Sequence, residues 1–367
     1  MRVLHVFKTY PPDSFAGVER VIWQIAEGTR AYGTQSTVLF LSTQQSGSGV
    51  LDGHATFAAR RDLYLASTGL SVSVFRSFRQ LAREHDIIHY HFPWPLMDLL
   101  EFSCRHGKPR IVTYHSDIVR QRHLARAYAP LMHALLGRVE RLVATSPNYL
   151  ESSPILRRHA AKTRVIPIGI DDPPPPEAAL VEAWRQRVGS GFFLFVGALR
   201  YYKGVPFLIE AARTTGLPVV VAGEGEMASD LEAAGLQNLI AVGAVSEADK
   251  LALLSLCGAF VFPSHLRSEA FGVALLEAAR AGKAMISCEI GTGTSYINKD
   301  RVTGLTIRPG DVAALAAAMQ LLSDSPGRSF AMGRAARARY LEIFTSERMA
   351  SAYQSQYKEL TRGQPQR

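Results

Sequence analysis

PSHLRSEAFGVALLEAARAGK, residues 263–283, carries the most informative local pattern of this chain. The short apolar run just before it, residues 259–262, predicts a buried strand, and the Pro-Ser pair that follows ends that strand. Residues 272–281 are rich in Ala and Leu, which favours a packed helix, and Gly282 stands where a helix C-cap glycine would stand. The stretch therefore predicts a strand, a loop, a short helix and a turn.

Two carboxylates mark this stretch, Glu269 in the loop and Glu277 in the helix, with seven residues between them. Phe271, Gly272 and Val273 fall in the first turn of the predicted helix, where backbone N–H groups lack intrahelical partners and can bind a phosphate. Glu277 lies about two turns beyond Glu269, and a carboxylate there can accept hydrogen bonds from vicinal hydroxyls such as those of a ribose. Glu269 can do the same for a second sugar, so one short segment can hold a sugar, a diphosphate and a ribose in order.

An alternative interpretation of Glu277 is a solvated glutamate on a surface helix. Its setting is apolar, however, because its neighbours are Leu275, Leu276, Ala278 and Ala279. A lone acid in such a helix more often faces a pocket or a partner than open solvent.

The segment resembles the E-x7-E signature of the retaining glycosyltransferases of family 4, which have the GT-B fold. The match runs Glu269-Ala-Phe-Gly-Val-Ala-Leu-Leu-Glu277 and is preceded by the Pro-Ser of residues 263–264. The resemblance implies an α/β protein of two facing Rossmann-like domains with a cleft between them. It also implies that the C-terminal domain holds most of the donor and that a C-terminal helix crosses back to the N-terminal domain.

The composition agrees with a two-domain protein. A chain of 367 residues is long enough for two domains, and 47% hydrophobic with 20% charged residues indicates sizeable cores. Cys104, Cys257 and Cys288 are far apart and predict neither a disulfide framework nor a metal site, which fits a reducing cytoplasm. The N-terminal apolar run is too short for a signal peptide, and no run of about 18 apolar residues predicts a membrane span.

The net charge of +9 points to an anionic partner. From composition alone that partner can be nucleic acid, anionic lipid or phosphorylated metabolites. The resemblance selects a nucleoside diphosphate sugar as donor and a lipid-linked saccharide as acceptor, and it implies no nucleic-acid partner.

The run Asp-Asp-Pro-Pro-Pro-Pro at residues 171–176 predicts a stiff spacer between two domains. We therefore expect an N-terminal Rossmann-like acceptor domain at residues 1–170, a linker at 171–190 and a C-terminal Rossmann-like donor domain at 191–345. The resemblance implies that residues 346–367 form a helix that packs back on the N-terminal domain, followed by a tail.

The first half begins with a strand at 2–7, a turn-rich loop that ends at Gly17, and a helix and a strand over residues 18–41, which predicts a parallel α/β domain. The loop opens a helix and is a second candidate anion site. In the resembling family this loop is glycine-rich and touches the donor diphosphate or the acceptor. Ala16 stands in place of the family's first glycine, so only Gly17 carries over, and an ordinary βα turn is the alternative. Residues 42–61 predict either a mobile loop or an irregular edge hairpin.

The predicted strand at 86–91 carries His89 and His91 on one face of the sheet. They can be metal ligands, or they can line a cleft or lie in the core, because the sites of parallel sheets collect at the carboxyl ends of strands. His115 follows the next predicted strand, residues 110–114. The resemblance implies that His115 is a catalytic residue that contacts the donor sugar or the reaction centre; a loop histidine is the alternative.

Residues 118–141 combine arginines with apolar residues and predict a basic amphipathic helix that Pro130 breaks or kinks. Such a helix, over residues 118–138, can lie on an anionic membrane surface, or it can be buried with its arginines solvated. In the resembling family this region often docks on membranes, where lipid-linked acceptors are found. The resemblance thus implies a cytoplasmic protein that can be peripheral on the inner face of the cell membrane.

The second half begins a new α/β set with a strand at 192–196. The loop that follows carries Arg200 and Lys203 just before a helix at 205–213. The helix N-terminus already favours anions, so two added cations predict a diphosphate clamp. The resembling family has an Arg and a Lys in this loop. Lys203 carries over directly, whereas Arg200 fills its role with a shifted spacing; solvated loop cations are the alternative.

A Gly-x-Gly-x-x-Ala pattern at 223–228 follows a strand and is typical of dinucleotide-binding sites. Such a fingerprint normally opens the first βαβ unit of its domain, whereas this one follows the second strand. The resembling family has a Gly-x-Gly here too. The resemblance further implies that Val245 and Lys250 lie on the side of the nucleotide base.

The activity that the resemblance implies is transfer of a hexose from a nucleoside diphosphate to an acceptor hydroxyl, with retention of configuration. The segments LRYYKG (199–204) and TYHSDIVRQ (113–121) look like bacterial mannosyl- or rhamnosyl-type transferases of surface polysaccharide such as O antigen. A GDP-sugar is therefore favoured, with a UDP-sugar second. No cofactor is expected and no metal ion, because the chain has no Asp-x-Asp motif. Two alternatives are a sugar-nucleotide epimerase and a non-catalytic partner subunit on the same scaffold.

Overall fold

The computed structural model describes residues 1–65, 68–118 and 122–362, with the side chains of residues 122–125 outside that description. It divides into two compact units. The first consists of Met1–Gly169 together with the C-terminal segment from Ser346, and the second is Ile170–Thr345. In the described ranges, no helix is long and apolar enough to cross a bilayer.

The first unit is built on a mostly parallel sheet. Its strands are β1 Arg2–Val6, β2 Gln35–Ser42, β3 Gly47–Leu51, β4 His54–Arg60, β5 Leu63–Leu65, β6 Thr68–Leu70, β7 Ile87–Phe92, β8 Arg110–Tyr114, β9 Arg141–Ala144 and β10 Thr163–Val165. Among the described residues, eight of them join in the order β10-β9-β8-β7-β1-β2-β4-β3, and β5 pairs with β6 separately. The order reverses at β1, so the loops after β1 and β7 flank a topological switch point, where parallel sheets bind ligands.

Helices cover this sheet. They are α1 Gly17–Arg30, α2 Ser73–Glu84, α3 Pro95–Ser103, α4 Arg122–Arg138, α5 Pro147–Ser152 and α6 Pro154–Arg158, followed by a 3-10 turn at Ala160–Lys162. Every residue of β7 is buried, as expected for a central parallel strand with both faces covered. In α1 the apolar period buries Val21, Ile22 and Ile25, which explains why this segment is a helix packed on the sheet.

The second unit has a fully parallel sheet. Its strands are β11 Phe193–Val196, β12 Val219–Ala222, β13 Leu239–Gly243, β14 Ala259–Phe262, β15 Ala284–Cys288 and β16 Gly304–Ile307. They lie in the order β13-β12-β11-β14-β15-β16. The switch point of this sheet lies between β11 and β14, so the loops that follow these two strands are neighbours.

The helices of the second unit are α7 Ala178–Val188, α8 Val205–Thr215, α9 Ala228–Ala233, α10 Glu247–Leu256, α11 Val273–Arg280, α12 Gly293–Ile297, α13 Val312–Asp324 and α14 Pro326–Ile343, with a 3-10 turn at Tyr201–Lys203. The predicted strand, loop and helix of residues 259–283 are present as β14, its loop and α11.

The last helix, α15 Ser346–Arg362, belongs to the first unit, as the resemblance implies. It packs against α1, where Ala350 lies so close to Gly28 that a β-carbon on that glycine would be 2.6 Å from the alanine side chain. Thr34 Oγ1 donates to Gln354 Oε1 at 2.7 Å, and Tyr353 and Tyr357 are buried against the sheet. The chain therefore returns to its N-terminal half after it completes the second unit.

The structure shows the secondary structure of three segments that the sequence analysis described only in outline. Residues 171–190, predicted as linker, contain α7, and 171–177 and 189–190 lack helix or strand. The sequence pattern missed α7 because this helix buries little apart from Trp184. Within residues 42–61, the range 47–60 forms the hairpin of β3 and β4, which is the hairpin alternative and not the loop. Helix α4 continues through Pro130 without a break, whereas residues 119–121 of the predicted amphipathic segment lie outside the described residues.

Candidate active site

Lys203 and Glu269 form an ion pair at the switch point of the second sheet. Lys203 ends the 3-10 turn after β11, and Glu269 lies in the loop after β14. Lys203 Nζ donates to Glu269 Oε2 at 2.5 Å. Gly204 makes this approach feasible: its φ is +78°, and a β-carbon there would lie 2.1 Å from the carbonyl oxygen of Pro263. The two loops thus touch at Gly204, which sets the distance between cation and carboxylate.

The pair is largely shielded from water. The side chains of Lys203 and Glu269 are only 13% and 11% exposed. Burial lowers the pKa of the Lys203 ammonium, but the neighbouring Glu269 carboxylate and the Tyr202 phenol outweigh burial and hold that pKa above its ordinary value. The ammonium also lies 4.8 Å from the centre of the Phe262 ring, a cation–π contact. Lys203 is therefore a fixed positive charge.

A second buried ion pair joins Lys250 and Glu277. Helix α10 begins with a capping box in which Ser246 and Asp249 bond each other's backbone, and this box places Lys250 one turn later. Lys250 Nζ donates to Glu277 Oε1 at 2.6 Å and to Glu247 Oε1 at 2.9 Å. Glu277 is 6% exposed, so it does not point into solvent as a surface glutamate would. The structure brings together two residues that the sequence analysis assigned separately, to the ribose and to the base.

Helix α11 presents backbone donors beside these pairs. Gly272 is its N-cap, in a left-handed conformation and with no side-chain cap, and Val273 is its first residue. The phenyl ring of Phe271 is buried and meets Phe344 edge-to-face, with ring centroids 6.3 Å apart, so Phe271 offers a ligand only its backbone. The first turn of α11 follows Glu269 directly, and its amides carry the partial positive charge of a helix N-terminus.

Three other predicted donor-site residues are more exposed than the two buried ion pairs. Arg200 precedes the turn that holds Lys203, and its side chain is exposed. Val245 is half-buried and precedes the N-cap of α10. Gly17, in the first unit, is exposed at the first position of α1, and a β-carbon there would meet nothing within 4 Å.

The Gly-x-Gly pattern has a packing explanation. Gly223 has φ +142°, and a β-carbon there would lie 2.0 Å from the carbonyl oxygen of Gly197. For Gly225 the corresponding distance, to the carbonyl oxygen of Leu199, is 2.5 Å. Both glycines let the loop after β12 approach the loop that carries Lys203. The pattern is therefore accounted for without a dinucleotide.

The first unit holds a buried group of histidines at its own switch point. His5 of β1, His91 of β7 and His115 after β8 form a chain: His5 Nδ1 lies 3.1 Å from His91 Nε2, and His91 Nδ1 lies 3.0 Å from His115 Nε2. His89 stacks on His91 but bonds elsewhere, to Tyr357 of α15 and to Thr113, each at 2.7 Å.

Burial keeps these imidazoles neutral. It lowers the pKa values of His5 and His115 to about 3 and those of His89 and His91 well below the usual range. The nitrogens of His5, His89 and His91 lie within 4.8 Å of one another. The rings of His89 and His91 are stacked, however, and both nitrogens of His91 already bond other imidazoles. A metal ion would have to break those bonds, so the geometry favours the core and cleft-lining interpretation.

Sequence reasoning did not identify His5 or the partner of Glu277. His5 carries a signal that could have been used, because it lies near the carboxyl end of the first predicted strand, where the sites of parallel sheets collect. The pairing of Lys250 with Glu277 has no sequence signal, since residues 27 positions apart come into contact here only when α10 and α11 pack.

Comparison with known proteins decides the family. Residues 15–172 match the model of glycosyltransferase family 4, and residues 178–339 match the model of glycosyl transferases group 1. The chain is 50% identical over 353 residues to the D-rhamnosyltransferase WbpZ of Pseudomonas aeruginosa, which covers 94% of this chain and 93% of that protein. The chain is a family 4 glycosyltransferase.

This glycosyltransferase is also 43% identical to the O-antigen chain mannosyltransferase C of Escherichia coli over 366 residues, 98% of this chain and 99% of that one. Among solved structures it is similar to a sucrose-phosphate synthase from Thermosynechococcus elongatus, with a TM-score of 0.81, 19% identity and coverage of 99% and 100%. Anabaena HepE in complex with UDP-glucose gives a TM-score of 0.78 at 17% identity, with coverage of 98% and 100%. These likenesses confirm the predicted GT-B fold class.

In chemical terms, the second unit of the glycosyltransferase combines a fixed cation, a helix N-terminus and two carboxylates. The cation of Lys203 and the amides of α11 suit a diphosphate, because both favour negative charge. The carboxylates of Glu269 and Glu277 are acceptors for hydroxyl groups. Binding of a nucleoside diphosphate sugar requires groups of these kinds: a cation and amides for the diphosphate, and carboxylates for the hydroxyl groups.

Proposed function

We propose that this glycosyltransferase moves mannose, or a deoxy-mannose such as rhamnose, from a nucleoside diphosphate sugar to a hydroxyl group of a lipid-linked or growing polysaccharide such as O antigen. The names of the two similar proteins, a D-rhamnosyltransferase and an O-antigen chain mannosyltransferase, support this donor class. A GDP-sugar is the favoured donor and a UDP-sugar the second. The single observation that carries the proposal is the buried Lys203–Glu269 pair beside the N-terminus of α11.

Successive parts of the donor, the diphosphate, the ribose and the base, bind to different residues of the second unit. Lys203, with Arg200 and the backbone amides of Gly272 and Val273, binds the diphosphate. Glu277, whose carboxylate is oriented by Lys250, accepts hydrogen bonds from the ribose hydroxyls. Val245 lies on the base side. Lys250 thus acts through Glu277 and not through the base itself.

The reaction retains the anomeric configuration. The bond between the anomeric carbon and the phosphate oxygen breaks, a bond to the acceptor oxygen forms on the same face, and the acceptor proton leaves on the departing diphosphate. The barrier is dominated by negative charge that grows on the diphosphate. A fixed cation and helix amides stabilise that charge without reorganisation, and such stabilisation is usually the largest single contribution to catalysis. These groups replace a divalent ion, so transfer is independent of metal. Glu269 holds hydroxyls of the transferred sugar, and His115 contacts the donor sugar.

The first test is a thermal-shift screen of the full chain with GDP, UDP, dTDP, CMP and NAD, in buffer that contains EDTA. Selective stabilisation by GDP supports the favoured donor, and stabilisation by UDP selects the second. Stabilisation by NAD alone would move the site to residues 223–228 and overturn the proposal. No shift with any nucleotide would instead favour the non-catalytic partner subunit.

The second test is activity with GDP-mannose, GDP-rhamnose and UDP-sugars, measured as released nucleotide and as sugar on an oligosaccharide acceptor. We expect nucleotide release coupled to transfer, also in the presence of EDTA. Conversion of one sugar nucleotide into another without release would show an epimerase. Glu269→Gln should abolish transfer but leave nucleotide affinity largely intact. Glu210→Gln is the matched control, because Glu210 is an exposed carboxylate on α8 that pairs with Arg213 of the same helix.

A further inference from the structure

The chain of three imidazoles in the first unit constrains where each proton lies. His5, His91 and His115 come from three neighbouring parts of the sheet, β1, β7 and the end of β8, and all three rings are buried. Each of the two contacts joins Nδ1 of one ring to Nε2 of the next. A neutral imidazole has one N–H and one lone pair, so each contact needs its proton from one side, and the protons must all point the same way along the chain.

Two directions satisfy this condition. In the first, His5 Nδ1–H donates to His91, and His91 Nδ1–H donates to His115 Nε2, which leaves the proton of His115 on Nδ1. In the second, His115 Nε2–H donates to His91, His91 Nε2–H donates to His5, and the proton of His5 lies on its own Nε2. The two directions therefore differ at the two ends of the chain, and the surroundings of those ends decide between them.

The surroundings of His5 distinguish between these two directions of proton donation. Within the described part of the chain, His5 Nε2 is buried and has no hydrogen-bond partner. The second direction would place an N–H at this atom, and orphaned buried N–H groups are rarer than orphaned acceptors in folded proteins. The first direction leaves only a lone pair there. The chain is therefore expected to run from His5 through His91 to His115.

We propose that His5 and His91 are positioning residues that hold His115 as the Nδ1–H tautomer, so that His115 meets its ligand as a hydrogen-bond donor and not as a base. The inference rests on the proposed function in one respect, that the ligand is the sugar nucleotide. Its chemistry follows from the tautomer: an N–H suits a sugar hydroxyl or phosphate oxygen, and Nε2 is already occupied by His91. A general base would need a free lone pair within reach of the acceptor hydroxyl, which this arrangement does not supply.

The α15 tyrosines secure the neighbouring histidine and not the chain itself. His89 bonds Tyr357, and Thr113 bonds both His89 and, at 2.8 Å, Tyr353. His89 stacks on His91 with ring centroids 4.3 Å apart, which helps to fix the plane of the middle ring. His89 and His91 therefore share a strand, a face and full burial, but only His91 carries hydrogen bonds of the chain.

This difference supplies a matched pair of variants, His91→Phe and His89→Phe. Each replaces a buried imidazole by a flat ring on the same face of β7. His91→Phe removes both hydrogen bonds of the chain, whereas His89→Phe removes neither. A purely structural role for these histidines would make the two variants alike, so any difference between them in His115 reports the chain.

The test is the nitrogen NMR spectrum of the full-length protein labelled with 15N-histidine, recorded without ligand between pH 5 and pH 8. We expect wild-type His115 to carry its proton on Nδ1, with Nε2 hydrogen-bonded and no titration over this range. His91→Phe should shift the Nε2 resonance and mix the tautomers, and His89→Phe should leave both nitrogens of His115 as they are. In the transfer assay, His91→Phe should lower kcat on the order of 10- to 100-fold, the effect typical of losing the hydrogen-bond partner that orients a metal-bound imidazole.

A proton on Nε2 of His115 in the wild-type spectrum would overturn the proposal and needs no variant to be seen. An unchanged His115 spectrum in folded His91→Phe would overturn it as well. If the protein transfers no sugar from any nucleotide, the proposed function fails, yet the spectrum still decides the tautomer. The two failures are therefore distinguishable.

Discussion

The buried pair of Lys203 and Glu269 yields a quantitative prediction when its cation is removed. Lys203→Met keeps most of the side-chain volume but leaves the Glu269 carboxylate 11% exposed and without its ammonium. Among the described residues, Ser264 is a further donor to this carboxylate, but its Oγ lies 3.5 Å from Glu269 Oε2 and makes a weak bond. The change in the free energy of unfolding of this variant therefore measures how much an unpaired buried carboxylate destabilises the second unit.

The magnitude follows from the geometry. With Nζ and Oε2 in contact at 2.5 Å, the charge centres are roughly 3–4 Å apart, and at an effective dielectric of about 20 their attraction is on the order of 4–5 kcal/mol. Lys203→Met loses this attraction and keeps the desolvation of Glu269. We expect a loss of about 3 kcal/mol in the free energy of unfolding of the second unit, the usual cost of breaking a buried pair from one side. Glu269→Gln should lose a similar amount, and the double variant far less than the sum.

The assay is urea unfolding followed by tryptophan fluorescence. Trp184 lies in α7 of the second unit, so replacing Trp23 and Trp94 by Phe leaves a signal that reports this unit alone. Unfolding of the two units need not coincide, which makes such a local probe necessary.

The comparison variant is Arg213→Met, which breaks an exposed pair with Glu210 on α8 and should cost less than about 1 kcal/mol. Coupling of about 2–3 kcal/mol between the Lys203 and Glu269 substitutions is the expected result. Simple additivity of the two, or a Lys203→Met loss no larger than that of Arg213→Met, would contradict a coupled buried pair of Lys203 and Glu269. The same Lys203→Met protein should also bind nucleoside diphosphate more weakly in calorimetry.

Three further predictions concern acid, a glycine and lipid. The pKa values of His5 and His115 are about 3 in the folded state and 6.5 in the unfolded chain, so the unfolded state binds more protons between these values. The unfolding free energy of the first unit should therefore fall as the pH drops below about 6.5, by about 2 kcal/mol per histidine at pH 5; urea midpoints that do not change from pH 7.5 to pH 5 would contradict this. Gly204→Ala should destabilise the second unit and weaken nucleotide binding, because its β-carbon would meet Pro263, whereas Gly216→Ala, at φ +66° with nothing within 4 Å, should show only the backbone strain; equal effects in urea unfolding would count against the contact. If α4 docks on membranes, sedimentation with vesicles should require anionic lipid and weaken as salt is raised, and binding indifferent to lipid charge would favour the buried-helix interpretation.

Much of the site is readable from sequence because its parts are local. The spacing of Glu269 and Glu277, the glycine before α11 and the lysine after β11 all lie within single strand–loop–helix units. Such units follow from hydrophobic runs, helix propensity and cap residues over a few positions. The same local logic predicted the parallel α/β halves and the strand at β14, whereas the return of the C-terminal helix was implied by the family resemblance. It missed α7, because a helix that buries little apart from Trp184 leaves a weak apolar period.

The amino-acid sequence alone is therefore enough to predict the kind of fold, the family and the residue types of the site. Which of these residues contact one another depends on the tertiary structure. Lys203 and Glu269 are 66 residues apart and become partners because β11 and β14 are neighbours in the sheet. His5 lies 86 residues from His91, and the proton order of the imidazole chain depends on one buried nitrogen that no sequence pattern marks. Long-range pairing follows from strand order and packing, and these are properties of the folded chain as a whole, not of any segment of it.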